Sequence, residues 1–362
     1  MQKYKMLKKI LLENWHPNVF EKNSSIRVAS SITAGTRIGR DSHWEEAKPF
    51  EEIPHLTMLP FIGTAWAFLP IIGRYKMDKL HLALRHKRQI LGDVIRDKFG
   101  SFNGVISFCP EDLETLFKYE GPYPNRSEIF SMKAYRESRK EWYKTTGLMI
   151  LFGILRLKVK SNPEGLVWFR LYDLWQRATS HTVGFLLYNL AKNPDKQQIL
   201  FEEISKLLPS KDLKITQNVF NELKYLKSCM KESQRMNPVI GGTGRQLETD
   251  VVISGYQVPA GTLIAVSFQE VYRDEKYFKN PESFHPERWL EREDKHYRYA
   301  FVPFGFGTRS CIGRRLAELE VICIIVEILR NFKVEYHHED IDIRVRMINI
   351  PDRPIRINFV ER

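Results

Sequence analysis

The run Phe304-Gly-Phe-Gly-Thr-Arg-Ser-Cys-Ile-Gly313 constrains this chain more than any other segment. Gly305 and Gly307 permit a tight loop that a β-branched residue would block. That loop presents Cys311 just ahead of a strongly apolar stretch, Gly313–Arg330, whose pattern predicts a helix. A thiol at a helix N-terminus is a thiolate candidate, because free N–H groups and the helix dipole favour an anion there.

A thiolate held this way is the kind of axial ligand that pushes electron density onto a heme iron. Arg309, two residues earlier, is placed to give a heme propionate a charge-assisted hydrogen bond. The bland alternative is a small buried cysteine in a glycine turn. The full constellation F-x-x-G-x-R-x-C-x-G argues against it.

Composition narrows the classes further. At 362 residues, 43% hydrophobic and 12% aromatic, the chain can bury a sizeable core, and 28% charged residues with ordinary Gly and Pro content exclude collagen-like and disordered classes. Cys109, Cys229, Cys311 and Cys323 show no C-x-x-C spacing, which argues against a disulfide scaffold or zinc ribbon and for a reducing compartment. The net charge of +12 lies in two blocks, residues 1–40 and residues 131–160, each at +6. Two isolated blocks do not make the basic face of a nucleic-acid binder, and no nucleic-acid partner is expected.

Residues 1–40 are basic, acid-poor and rich in Ser and Thr, as an organelle transit peptide is; a plain disordered basic leader is the alternative. No run of 18 apolar residues exists to span a membrane. The nearest approach, Met58–Gly73, is broken by Pro60, Gly63 and Pro70 and is expected to be a buried or surface-packed loop.

Periodicity predicts helices over Lys76–Phe99, Pro110–Tyr119, Ser180–Leu190, Asp195–Leu208, Asn221–Arg235 and Gly313–Arg330. Strands are expected at Val105–Phe108, Val251–Ile253, Tyr256–Val258, Leu263–Val266, Lys333–Tyr336, Ile343–Ile348 and Ile355–Phe359. Phe152–Trp175 has no clean period. The fold class is mainly α with a minor β part.

Three further elements, in order, give the cysteine segment its context. Glu232-Ser-Gln-Arg235 reads E-x-x-R on a helix, Arg245 follows in G-G-T-G-R, and Phe284-His-Pro-Glu-Arg288-Trp289 precedes the cysteine loop. Together they resemble the cytochrome P450 family. The resemblance implies that Cys311 ligates the iron of heme b, with Phe304, Arg309, Gly313 and Arg245 binding the cofactor. It also implies that Arg288 joins Glu232 and Arg235 to lock the core.

Cys311-Ile-Gly-Arg-Arg-Leu-Ala-Glu-Leu-Glu320 and Lys227-x-x-x-Lys231 are similar to the family's mitochondrial branch. The two lysines share one helix face, suited to an acidic, adrenodoxin-like ferredoxin supplied by an NADPH-ferredoxin reductase. A solvated lysine face is the alternative.

The resemblance covers residues 49–150 and 178–362 and lapses near 151–177, so the expected fold is a single P450-like domain over 41–362 with central helices missing. No W-x-x-x-R, the family's second heme grip, occurs in the sequence, and Arg156 and Lys158 are candidate remnants. Where the family reads A-G-x-D-T-T-S, this chain has Trp175-Gln-Arg177-Ala178-Thr179-Ser180. Arg177 replaces the acid and Ala178 the proton-relay threonine. Thr179 is one position late, about 100° around the helix, and is a weak catalytic candidate.

The implied activity is insertion of one oxygen atom from O2 into a lipophilic small molecule, a sterol, steroid or xenobiotic. The implied setting is mitochondrial, on the matrix side of the inner membrane with peripheral membrane association. The altered relay and the shortened chain keep two alternatives open: a truncated, non-catalytic isoform or pseudoenzyme, or a heme-thiolate isomerase that needs no O2 activation.

Overall fold

Gly92, at φ +98°, ends a helix that the hydrophobic period runs on to Phe99. A computed structural model describes residues 40–99, 102–120, 165–210, 212–290, 299–346 and 348–362, with backbone alone at Phe102, residues 165–177 and Thr308. The leader, most of the second basic block, and Arg156 and Lys158 lie outside the described residues.

Helix α1, Leu80–Leu91, stops where the Gly92 N–H reaches Arg88 O at 2.9 Å. The chain then forms strand β1, Val94–Phe99, antiparallel to β2, Phe102–Ser107. The expected helix over Lys76–Phe99 is therefore a helix and a strand. The buried Ile95 mimics the next turn of the helical stripe while packing on the sheet. Lys87, almost fully buried, ties α1 back to β1 through a 2.6 Å bond from Nζ to Asp97.

Helix α2, Pro110–Tyr119, lies where the pattern predicts it, with Pro110 in its first turn and Glu111 and Asp112 at its positive end. Helix α3, Gly165–Lys192, begins well before the expected Ser180, and α4, Pro194–Leu207, follows after the Asn193–Pro194 break. The expected helix over Asn221–Arg235 is two, α5 (Gln217–Glu222) and α6 (Lys224–Met236). The break at Leu223 is stabilised from α4: the Glu203 carboxylate accepts the Tyr225 and Leu226 N–H groups at 2.7 and 3.0 Å, satisfying donors that a new helix start leaves open.

Strands β3 (Gly242–Gln246), β4 (Val251–Ile253), β5 (Tyr256–Val258) and β6 (Leu263–Ser267) follow, then the short helix α7, Phe268–Val271. Strand β3 went unpredicted because Gly-Thr-Gly-Arg carries no strand-forming pattern. Gly242 is required by close approach, since a Cβ there would lie 2.5 Å from Val266 O. The four-stranded sheet runs β1-β2-β6-β3, with β2 and β6 parallel and Arg245 opposite Ile264.

Helix α8, Arg314–Asn331, leads into β7, Phe332–Glu335. The expected strand Ile343–Ile348 is instead a hairpin of β8, Ile343–Val345, with β9, Asn349–Pro351. The last strand, β10, is Asn358–Glu361, pairing with β7 rather than starting at Ile355.

Among the described residues, two large cores hold most of these parts. One lies around the four-stranded sheet, where Val105, Ile264, Val266, Tyr272 and Phe278 pack together. The other is helical, with Leu186 and Leu190 of α3, Leu200 and Ile204 of α4, Leu226 of α6, and Ile322, Ile325 and Leu329 of α8. Their i, i+3, i+4 spacing produces the stripes that meet there.

The loop over Met58–Gly73 departs from expectation at its tip. Gly63 packs on Lys98, but Phe61, Ile71 and Ile72 point into solvent. No helix among the described residues is long and apolar enough to cross a membrane.

Candidate functional site

The cysteine segment folds back on itself through two glycines in the left-handed region, Gly305 at φ +69° and Gly307 at φ +66°. The Cys311 N–H donates to Phe304 O at 2.8 Å, closing the loop, and the Ser310 N–H donates to Gly307 O at 3.2 Å. Gly313 caps α8, which starts three residues beyond the cysteine. A Cβ on Gly313 would stand 4.0 Å from Cys311 Sγ, so this position borders the sulfur. The Arg314 guanidinium lies over the Phe304 ring, 5.3 Å from its centre.

Cys311 is the exposed member of the four cysteines. Burial pushes the Cys109 and Cys323 thiols up to about 11, and the Cys229 thiol is raised well above its ordinary value by the same cause, so all three stay protonated at neutral pH.

Two guanidiniums converge beside this loop. Arg309 Nη1 donates to Glu120 Oε1 at 3.3 Å, and Arg245, held on β3, is ion-paired with the same carboxylate oxygen. Arg245 Nη1 also donates to Thr243 Oγ1 at 2.6 Å and to Gly244 O at 2.9 Å, which fixes the fork. Nothing in the sequence pattern singles out Glu120, which terminates α2; its two partners lie far along the chain.

Behind the loop, the E-x-x-R pair and Arg288 form one buried cluster. Arg235 donates from Nε and Nη2 to the two Glu232 oxygens at 3.0 and 2.8 Å, and Arg288 Nε donates to Glu232 Oε1 at 3.1 Å. Trp289 Nε1 and the His285 N–H also donate to Glu232, at 3.0 and 3.1 Å.

Tyr272 carries this order to the cysteine loop. Its carbonyl accepts Arg235 Nη1 at 2.8 Å, and its hydroxyl accepts the Val302 N–H at 3.1 Å. Val302 O in turn accepts the Gly305 N–H at 2.9 Å. Sequence reading missed Tyr272, whose phenol is raised by complete burial and is neutral at any working pH.

Lys227 and Lys231 lie on α6, the helix that also carries Glu232 and Arg235. Lys227 Nζ sits 4.6 Å over the Phe220 ring, and Lys231 Nζ 5.6 Å over Trp289. The Lys231 ammonium is lowered by partial burial and then by Arg314 and Lys227, placing it beside the first turn of α8, near the cysteine loop. Thr179 is buried on α3, and its hydroxyl has no hydrogen-bond partner among the described residues. Thr182 Oγ1 donates to Ala178 O at 2.9 Å.

A mainly helical domain that presents one exposed thiol from a glycine loop, with two convergent guanidiniums beside it, has the build of a heme-thiolate protein. The cytochrome P450 family model matches residues 176–359, half of the chain, and the chain belongs to that family. It is similar to cytochrome P450 CYP12A2 of Musca domestica, 40% identical over 51% of this chain and 37% of the relative. It is also similar to the mitochondrial cholesterol side-chain cleavage enzyme of Hypanus americanus, 38% identical over 50% and 35%. The mitochondrial 1,25-dihydroxyvitamin D(3) 24-hydroxylase of Mus musculus is 37% identical over 51% and 36%. The chain thus spans little more than a third of the length of the curated relatives it matches.

Heme b with a thiolate ligand is the cofactor of this family. The residues fit it on the Cys311 side: the thiol is exposed, Gly313 leaves room at the sulfur, and the guanidinium pair already grips a carboxylate.

Proposed function

We propose that this chain is a heme-thiolate monooxygenase of the mitochondrial P450 type, acting on a lipophilic small molecule of the sterol, steroid or xenobiotic class. The carrying observation is the convergence of Arg245 and Arg309 on one carboxylate beside the Cys311 loop. Cys311 ligates the iron, and Arg245 and Arg309 hold the propionates. Phe304 and Gly313 shape the sulfur's surroundings, and the Glu232–Arg235–Arg288 cluster keeps the loop in register through Tyr272. Bound heme supplies O2 activation, one oxygen atom entering the substrate and the other leaving as water, at the expense of one NADPH.

Lys227 and Lys231 receive an adrenodoxin-like ferredoxin, reduced by its NADPH-dependent reductase. The lowered ammonium beside the start of α8 supports placing that contact on the thiolate side of the fold. The mitochondrial names of several relatives support a mitochondrial location, and a ferredoxin-fed enzyme of this type would work on the matrix side of the inner membrane.

The test is spectroscopic. The reduced protein under carbon monoxide should show the red-shifted band of thiolate ligation, and Cys311→His should abolish it. An unchanged spectrum in the variant overturns the assignment.

A second reading, a heme-binding chain that hydroxylates poorly, is favoured by Arg177 and Ala178 standing at the relay positions. Thr179 then remains the one buried hydroxyl in that turn. With a reconstituted ferredoxin chain, NADPH consumption in excess of product, with peroxide released, supports this reading. Tight coupling to product refutes it.

A further inference from the structure

The geometry points to Glu120 as an internal stand-in for a heme propionate, a side chain that must yield the Arg245–Arg309 pair before heme can take it. This inference rests on the heme-thiolate reading above. The Glu120 side chain is 5% exposed and Arg245 6%, and a single oxygen, Glu120 Oε1, meets both guanidiniums. Without that carboxylate, the two guanidiniums would keep their charge in a largely dry corner and lose the anion they share, which is unfavourable. Glu120 therefore steadies the apoprotein.

Heme brings two carboxylates of its own. Two propionates beside Glu120 would bring three carboxylates to the Arg245–Arg309 pair, and like charges at such distances repel strongly where water is scarce. Glu120 and at least one propionate thus compete for the same donors, and heme affinity is reduced by an ion pair that already exists. Position adds to the argument: Glu120 is the last residue of the α2 turn, so its release needs a side-chain rotation rather than the breaking of a helix.

The test titrates the full-length apoprotein with ferric heme and, in parallel, with heme dimethyl ester, whose propionates are blocked. Binding is read from Soret absorbance and tryptophan quenching. Glu120→Gln should raise heme affinity about tenfold, the worth of a charge-assisted bond no longer displaced. The ester should show no such gain, and the variant apoprotein should melt at a lower temperature. Glu120→Asp, which withdraws the carboxylate by one methylene, should gain about threefold and serves if the glutamine variant does not fold.

Unchanged heme affinity in both variants, weaker binding by Glu120→Gln, or an equal gain for the ester overturns the stand-in while leaving Cys311 ligation intact. Failure of every chain, wild type included, to bind heme overturns the heme-thiolate reading and this inference with it.

Discussion

Arg288 reaches back 56 positions to donate from Nε to Glu232 Oε1 at 3.1 Å, with both side chains buried from solvent. The same oxygen takes Arg235 Nη2 at 2.8 Å, so one carboxylate is shared by two guanidiniums inside the protein. Such a cluster depends on its carboxylate, because removing Glu232 strands both guanidinium charges in the interior. Its position behind the cysteine loop, joined through Tyr272, makes it the fixed base on which the site stands.

Glu232→Gln should therefore cost about 3–5 kcal/mol of stability, because it leaves Arg235 and Arg288 buried without the carboxylate they share. Denaturant unfolding checks this. Tyr272→Phe removes only the acceptor for the Val302 N–H and should cost about 1–3 kcal/mol. Heme loading should fall with it, and retention of wild-type stability and loading would sever the proposed link.

Glycine substitutions should separate close approach from backbone strain. Gly307 is at φ +66° with open space around it, so Gly307→Ala should cost about 1–2 kcal/mol from conformation alone. Gly242 has ordinary φ, but its Cβ would strike Val266 O, so Gly242→Ala should pry β3 from β6 and displace Arg245. Melting temperatures and heme affinity of the two variants should diverge, heme affinity falling in Gly242→Ala.

Lys227→Glu with Lys231→Glu should weaken ferredoxin binding and flatten its salt dependence while heme content is unchanged. The pH dependence carries a second signature. Burial, Arg314 and Lys227 lower the Lys231 ammonium, so it loses its charge at a lower pH than an ordinary lysine. Ferredoxin affinity should decline in the alkaline range before ordinary lysines titrate. Folding should move the other way: the unfolded chain holds that proton more tightly, so this group's contribution to stability rises with pH through the lowered value. Calorimetric titration across that range measures both.

Glu320, on α8, is pushed up to about 7 by burial. Below the ordinary carboxylate range it is protonated in both folded and unfolded chains and contributes no pH dependence. As pH rises from about 4.5 to about 7 the folded chain binds the proton more tightly, so stability falls across that window and stays lower above it. Glu320→Gln should raise the melting temperature at pH 8 and leave it unchanged at pH 4. Parallel melting curves for the two proteins at every pH would refute the burial of this carboxyl.

The sequence by itself determined whatever depends on neighbours along the chain. The Gly305–Cys311–Gly313 loop, the α2 start at Pro110 and the hairpin strands around Gly255 are local, set by glycine conformation, capping and alternation. The same local signals misled where tertiary contacts took over. Ile95 continues a helical stripe yet pairs in a sheet, and Leu223 interrupts an unbroken period because Glu203 of α4 caps the helix that follows. Family resemblance marked Glu232, Arg235 and Arg288, but only the folded chain shows Trp289 and Tyr272 joining them. Glu120 is the clearest case: it lies 189 residues from Arg309, and no periodicity or spacing links them. A carboxylate's meaning comes from which cations share its dry surroundings, and that is decided by how the end of α2, strand β3 and the cysteine loop pack, not by their order in the chain.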